Sequence, residues 1–365
     1  MRNEPSANHA IASSSHPCRV MITDYAWPDV ELERRMLAAE NVELVVAPEG
    51  SELTLAAMAQ RYDVAAIMAC WAKVTPAVID ASPRCRHVAR LGIGLDNIDV
   101  RHCSQRGIPV TNVPDYCRTE VAEHTLASIL ALGRNIGWYH HATKIGSYAI
   151  GAGPPLRRLA GRTVGIVGYG GIGREVAARA RAFGFQVLAT TRTPRVADKL
   201  ASDAAAGGAF AAATAGAASV KFVTLDELVR ASDFVTLHLP LTDTTRHIVN
   251  RELFERFQPG AFLINTARGG LVDHEALTEA LADGRLAGAA LDVQTPEPPD
   301  LSRAPYNDPR VIVTPHAAFL SAESLLSLRT QTVEQVLERL RGKMPANVVN
   351  AAEISNLHAR EVLQH

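Results

Sequence analysis

Several stretches of this sequence place residues capable of chemistry just after apolar runs. In Leu263-Ile-Asn-Thr-Ala-Arg-Gly-Gly270, Arg268 is hemmed by small residues and glycines. Its guanidinium there can grip a carboxylate with two parallel hydrogen bonds, or else serve a loop ion pair. In Ala290-Leu-Asp-Val-Gln-Thr-Pro-Glu-Pro-Pro299, Glu297 stands between two prolines, whose fixed φ stiffens the backbone and aims the carboxylate; taken alone it reads as a solvated loop acid. Asp292 ends the same apolar run and is placed to accept hydrogen bonds from a nicotinamide carboxamide. In Val311-Ile-Val-Thr-Pro-His-Ala-Ala-Phe319, His316 follows an apolar run and a proline. A carboxylate beside it would favour the imidazolium and orient the ring, which suits a proton donor working near neutral pH.

A further stretch, Val164-Gly-Ile-Val-Gly-Tyr-Gly-Gly-Ile-Gly173, carries G-x-G-x-x-G at Gly168, Gly170 and Gly173. The pattern is weak alone, but here it follows a strand-like run and opens a helical one, the context it requires. Gly168 allows a tight turn, Gly170 lets backbone approach a pyrophosphate, and Gly173 lets helix and strand pack closely. With Tyr169, Gly171 and Ile172 they form a turn where helix amides and the positive end of the dipole meet phosphates. A dinucleotide, an arginine and a Glu–His pair together describe reversible hydride transfer at a carbonyl. Arg268 would bind the carboxylate of a 2-oxo acid and polarise its keto oxygen, His316 would protonate the developing alkoxide, and Glu297 would stabilise the imidazolium.

The choice of dinucleotide is read further on. NAD-specific sites usually place an acid about 20 residues past the glycine turn, bonded to the adenosine ribose. In Val187-Leu-Ala-Thr-Thr-Arg-Thr-Pro-Arg195, Thr191 occupies that place, and Arg192 and Arg195 follow. Lack of the acid removes repulsion toward a 2′-phosphate, and the two cations can meet it. NADP is therefore expected over NAD, unless both arginines are simply solvated.

The elements that must position these groups read as two βα series. Cys18–Thr23, Val42–Val46, Val64–Cys70, Val88–Leu91 and Ile108–Thr111 are short apolar runs separated by helix-like segments, implying a parallel sheet covered on both faces. A long helix is predicted from Thr119 toward Tyr139, then a Gly/Pro-rich loop, Gly146–Pro155, that could cross between domains. The second series has strands at Thr163–Val167, Gln186–Ala189, Phe234–His238, Ala261–Asn265, Leu286–Val293 and Val311–Thr314. Its helices are Gly173–Phe183 and His274–Ala282, the latter with Asp273 as N-cap and Gly284 just past its end. Ala201–Ser219 is almost all Ala, Gly, Ser and Thr, a surface insertion or a weak Ala-rich helix.

Composition narrows the function classes. With 37 Lys and Arg against 38 Asp and Glu, the net charge of −1 gives no reason to expect a nucleic-acid partner. No stretch approaches the ~20 apolar residues of a membrane span. The polar Met1–Ser15 stretch lacks the features of a secretory signal and reads, as residues 1–17, as a disordered leader. The five cysteines form no CxxC pair, so neither a disulfide framework nor a metal site is expected, and a reducing cytoplasm suits them.

Taken in order, Gly168–Gly173, His238-Leu-Pro-Leu-Thr242, Asn265-Thr-Ala-Arg-Gly269, Ala290-Leu-Asp-Val293 with Glu297-Pro298, and Thr314-Pro-His-Ala317 resemble the D-isomer-specific 2-hydroxyacid dehydrogenase family over roughly Cys18–Asn350. The resemblance implies a Rossmann nucleotide-binding domain, residues 114–315, inserted into a flavodoxin-like substrate domain formed by residues 18–113 and 316–365. It gives Arg268, Glu297 and His316 the substrate-anchoring, His-supporting and acid/base roles, and adds His238, Pro240, Thr245, Thr266 and Ala267 as cofactor contacts. It implies a homodimer through the nucleotide-binding domain. Arg90-Leu-Gly-Ile-Gly-Leu-Asp-Asn-Ile-Asp99 resembles the loop that meets the bound acid, with the amides of Ile93 and Gly94 as carboxylate donors. Asn112–Cys117 and Thr314–Phe319 look closest to the C-terminal-binding-protein-like branch, where Arg90 and Phe319 match substrate-facing residues; Phe319 also reads as a core aromatic. Arg192-Thr-Pro-Arg195 resembles the NADPH-using glyoxylate/hydroxypyruvate reductases. A nucleotide-sensing co-repressor-like protein, or a phosphite or formate dehydrogenase, would carry the same motifs.

Overall fold

The computed structural model describes residues 17–191 and 220–362. The predicted leader up to His16, Arg192, Arg195 and the Ala201–Ser219 stretch lie outside the described residues. The chain divides into two units, one formed by residues up to Tyr116 together with those from Ser321, the other by Cys117–Leu320.

The first unit is built on a wholly parallel sheet of β1 (Cys18–Ile22), β2 (Val42–Val46), β3 (Ala66–Ala69), β4 (Val88–Arg90) and β5 (Val110–Thr111), in the order β2-β1-β3-β4-β5. That is the flavodoxin-like order. Alternate side chains of β1 explain the two-sided burial: Val20 and Ile22 pack in one cluster with Leu37 and Leu44, Met21 in another with Leu55 and Val78. The chain re-enters this unit through the helix Ala322–Leu340, whose Leu328, Val333, Val336 and Leu337 fill the first of those clusters.

The second unit holds β6 (Thr163–Val167), β7 (Gln186–Thr190), β8 (Lys221–Phe222), β9 (Phe234–Leu237), β10 (Ala261–Asn265), β11 (Leu286–Leu291) and β12 (Val311–Val313). All pair in parallel, in the order β12-β11-β10-β9-β6-β7-β8. This is the doubly wound Rossmann order, whose direction reverses between β6 and β9, where ligands bind outside the carboxyl ends of the strands. Asp273 caps the helix His274–Ala282 by accepting from the Glu275 and Ala276 amides, as its position predicts.

The long helix predicted from Thr119 is two helices, Arg118–Gly133 and Ile136–Lys144. Asn135 breaks it with φ 51°, a left-handed conformation that Asn tolerates, and its side-chain amide donates to the Pro154 carbonyl. The glycine-turn helix begins at Gly171, two residues before its predicted start. His316–Leu320 belong to the second unit, not to the first as the sequence reading placed them; backbone and side-chain bonds to Asp292 tie this segment to the end of β11.

Candidate active site

The glycine turn lies at the switch point of the second sheet. Gly168 follows β6 with φ 99°, and a Cβ there would meet the His238 carbonyl oxygen at 2.4 Å, so only glycine fits between the ends of β6 and β9. A Cβ on Gly173 would meet the Gly168 carbonyl at 2.3 Å, whereas one on Gly170 would meet nothing within 4 Å. The turn is thus tight where it packs and open where a pyrophosphate would lie. Tyr169 is buried edge-on against Phe222, with ring centroids 5.1 Å apart, and Ile172 packs in the same cluster, so these two side chains support the turn from beneath. Thr191 is the first residue past β7.

Around this turn the expected cofactor contacts are held by local bonds. His238 sits just past β9 with Nε2 at 3.0 Å from Thr236 Oγ1; loss of solvent pushes its pKa down to about 3, so the ring is neutral. Thr245 donates to the Pro240 carbonyl at 2.7 Å. The Thr266 hydroxyl lies 3.0 Å from that of Thr125. Buried Asn265, at the end of β10, accepts from the Ala267 amide and donates to the Arg268 carbonyl, which fixes the turn carrying Arg268. Arg268 in turn donates from one guanidinium nitrogen to the Ala267 carbonyl at 2.7 Å.

His316 and Glu297 meet: Nδ1 is 2.9 Å from Oε2. The other carboxylate oxygen accepts the Gln294 amide at 2.8 Å, so both oxygens are fixed. Desolvation pushes the Glu297 carboxyl up, but the His316 hydrogen bond and charge, the Gln294 amide and the Arg268 charge outweigh it and hold its pKa below the ordinary value. Phe319 packs edge-on to the His316 ring at 6.2 Å between centroids. Asp292 is 2% exposed, and its carboxylate accepts from the Thr314 hydroxyl and the Ala317 and Ala318 amides. It therefore holds the His316 segment, a role its residue type alone did not reveal.

Two organising residues escaped the sequence reading. Gln294 joins the strands, since its amide meets Glu297 while its side chain donates to the Leu291 and Thr314 carbonyls. Asn265 stands at a strand end and in the Asn265–Gly269 motif, and neither shows that its side chain fixes the Arg268 turn. The available signal was a polar side chain ending an apolar run, where burial demands partners.

In the first unit, Arg90 ends β4 and is buried. Its guanidinium donates to the carbonyls of Gly94 at 2.8 Å, Ala69 at 3.3 Å and Leu91. Asn112 donates to the Ile93 carbonyl at 2.8 Å. These bonds hold the Ile93–Gly94 loop by its carbonyls.

A Rossmann sheet with a glycine turn at its switch point, and a His–carboxylate pair beside an arginine past the neighbouring strands, defines a nicotinamide-dependent dehydrogenase. Residues 126–318 match the D-isomer specific 2-hydroxyacid dehydrogenase, NAD binding domain, and the chain belongs to this family. It is 37% identical over 270 residues to a hydroxypyruvate reductase of Thermotoga maritima, covering 73% of this chain and 82% of that one. An NADPH-dependent glyoxylate/hydroxypyruvate reductase from Sinorhizobium meliloti, solved with NADP and malonate, is 28% identical with a TM-score of 0.76, covering 93% of this chain and 98% of that one. A D-lactate dehydrogenase from Aquifex aeolicus, solved with NAD and lactic acid, is 27% identical with a TM-score of 0.75, covering 89% and 96%. The chain is thus an NAD(P)-dependent oxidoreductase that transfers hydride between its dinucleotide and a 2-oxo or 2-hydroxy acid. No helix among the described residues is long and apolar enough to cross a membrane.

Proposed function

We propose that this enzyme reduces a small 2-oxo acid of the glyoxylate or hydroxypyruvate kind, with Arg268, Glu297 and His316 as its catalytic set. The observation that carries this reading is the 2.9 Å contact between His316 Nδ1 and Glu297 Oε2. It orients the ring and sets a carboxylate against the imidazolium that would give its proton to the substrate oxygen. Arg268 anchors the substrate carboxylate. Gly168–Gly173 hold the pyrophosphate of the dinucleotide, whose nicotinamide supplies hydride to the substrate C2 when bound. Thr191 is compatible with the 2′-phosphate of NADP, because it brings no negative charge to the end of β7.

A homodimer is supported by an exposed apolar face. Ile145 is exposed at the rim of a cleft of about 590 Å³ lined also by Leu132, Trp138, Phe262 and Ile312. Solvated clusters of this kind mark association surfaces. The cysteines are all unbridged thiols, four of them buried, which supports a reducing cytoplasm.

The deciding experiment is turnover of glyoxylate, hydroxypyruvate and pyruvate with NADPH and with NADH. A nucleotide-sensing protein would bind dinucleotide yet show no turnover with any acid. Sedimentation of the wild type and Ile145→Asp tests the dimer, with the variant expected as monomer.

A further inference from the structure

His124 lies on the helix Arg118–Gly133 and had no part in the site as read from sequence. Its Nε2 is 3.2 Å from Thr314 Oγ1 and 3.7 Å from Asp292 Oδ1. Thr314 has a single hydroxyl proton, which goes to Asp292 Oδ1 at 2.6 Å, an oxygen that only accepts. The hydroxyl must therefore accept from His124, and the order of donors is fixed: His124 Nε2–H to Thr314 Oγ1–H to Asp292. The same carboxylate takes the amide protons of Ala317 and Ala318, both at 2.9 Å, and the Asp292 carbonyl takes that of His316 at 2.8 Å. This turn needs holding, because His316 has φ 53°, a left-handed conformation that a residue with a Cβ adopts only at a cost.

We propose that His124 is a positioning residue for His316, acting through Thr314 and Asp292; this rests on the reading of His316 as proton donor. Without the Nε2–H, the Thr314 hydroxyl loses the donor that orients it. Its bond to Asp292, and with it the turn that aims the His316 ring, loses definition. The His124 side chain is 26% exposed, and Leu and Gln are near enough to it in size to fill most of the space it occupies.

The test is steady-state kinetics of His124→Leu, His124→Gln, Thr314→Val and the His124→Leu/Thr314→Val pair, with glyoxylate and saturating NADPH. His124→Leu is expected to lower kcat about tenfold, the scale of one hydrogen bond, with the KM for dinucleotide unchanged. Glutamine carries an amide N–H to about the same reach and should restore kcat to within about threefold, as expected where one donor is what matters. In the Thr314→Val background, His124→Leu should cost less than about twofold more, because members of one chain are not additive. Should His124→Leu fail to fold, Gln against the shorter Asn makes the same comparison. An unaltered kcat in His124→Leu, a Gln variant no better than Leu, or additive losses would each overturn the proposal. His316→Ala is assayed alongside: if it keeps its rate, the proton-donor reading fails and this one with it, whereas loss there with none in His124→Leu overturns the positioning role alone.

Discussion

Gly269 lies so close to Gln294 that a Cβ on it would stand 2.2 Å from the Gln294 carbonyl oxygen and 2.7 Å from Thr295 Oγ1. This contact presses the turn carrying Arg268 against the loop carrying Glu297, and makes their separation a matter of backbone on backbone. Gly269→Ala must push the two apart, since the nearest atoms, the Gln294 carbonyl carbon and oxygen at 2.2 Å, are backbone and cannot rotate away. Overpacking of this kind costs about 1–3 kcal/mol. The melting midpoint is expected to fall, and kcat/KM for the 2-oxo acid to fall further than stability alone accounts for. A variant with wild-type kinetics would show that the two loops are independent.

Arg268→Lys keeps the charge but loses the planar fork that can grip a carboxylate at two points. Its chief effect is expected on substrate use, with kcat/KM for the acid reduced well over tenfold and dinucleotide binding nearly unchanged. A loss within about twofold, far short of the 1.4 kcal/mol that separates tenfold steps, would refute the anchoring role.

Much of this site was legible in the sequence, and the reason is local. The glycine turn, Arg268, Glu297 and His316 each follow a strand of one parallel sheet, and the carboxyl ends of those strands share one edge, while Asp273 is legible as a cap from the helical run it opens. What escaped were relations between strands. Nothing in Asp292 itself announces that its carboxylate is spent on the Ala317 and Ala318 amides, because those partners arrive from β12. Gln294 looks like any loop amide until its side chain is seen on the Thr314 carbonyl. The break at Asn135 hid because the apolar spacing runs on through Ile136, and only the left-handed backbone interrupts it.

His316→Ala should lose about 10²–10⁴ in kcat, the usual range for a general acid, while retaining dinucleotide binding. Glu297→Gln tests the pair by pH. The His316 hydrogen bond and charge, the Gln294 amide and the Arg268 charge together hold the Glu297 pKa below its ordinary value against the desolvation that raises it. In the wild type the carboxylate stays ionised until pH falls through its lowered value. With glutamine no carboxylate is left there to titrate, so the acid limb that Glu297 sets should be lost from the reduction profile. An acid limb that persists in the variant counts against the pair.

Cofactor choice gives the sharpest contrast, because NADPH and NADH differ only by the 2′-phosphate. Thr191 follows β7, the strand whose end usually carries the ribose-binding acid in NAD-specific sites. Arg192 and Arg195 come next in sequence. Wild type is expected to favour NADPH in kcat/KM. Arg192→Ala should lower kcat/KM for NADPH by about tenfold to a hundredfold, the scale of a hydrogen bond to a charged group, and leave NADH nearly unaffected. Thr191→Asp approaches the same point from the opposite side: a carboxylate there repels the phosphate and accepts from the ribose hydroxyls, so the preference should turn toward NADH. Equal losses with both dinucleotides in Arg192→Ala, or a wild type that prefers NADH, would sink the assignment.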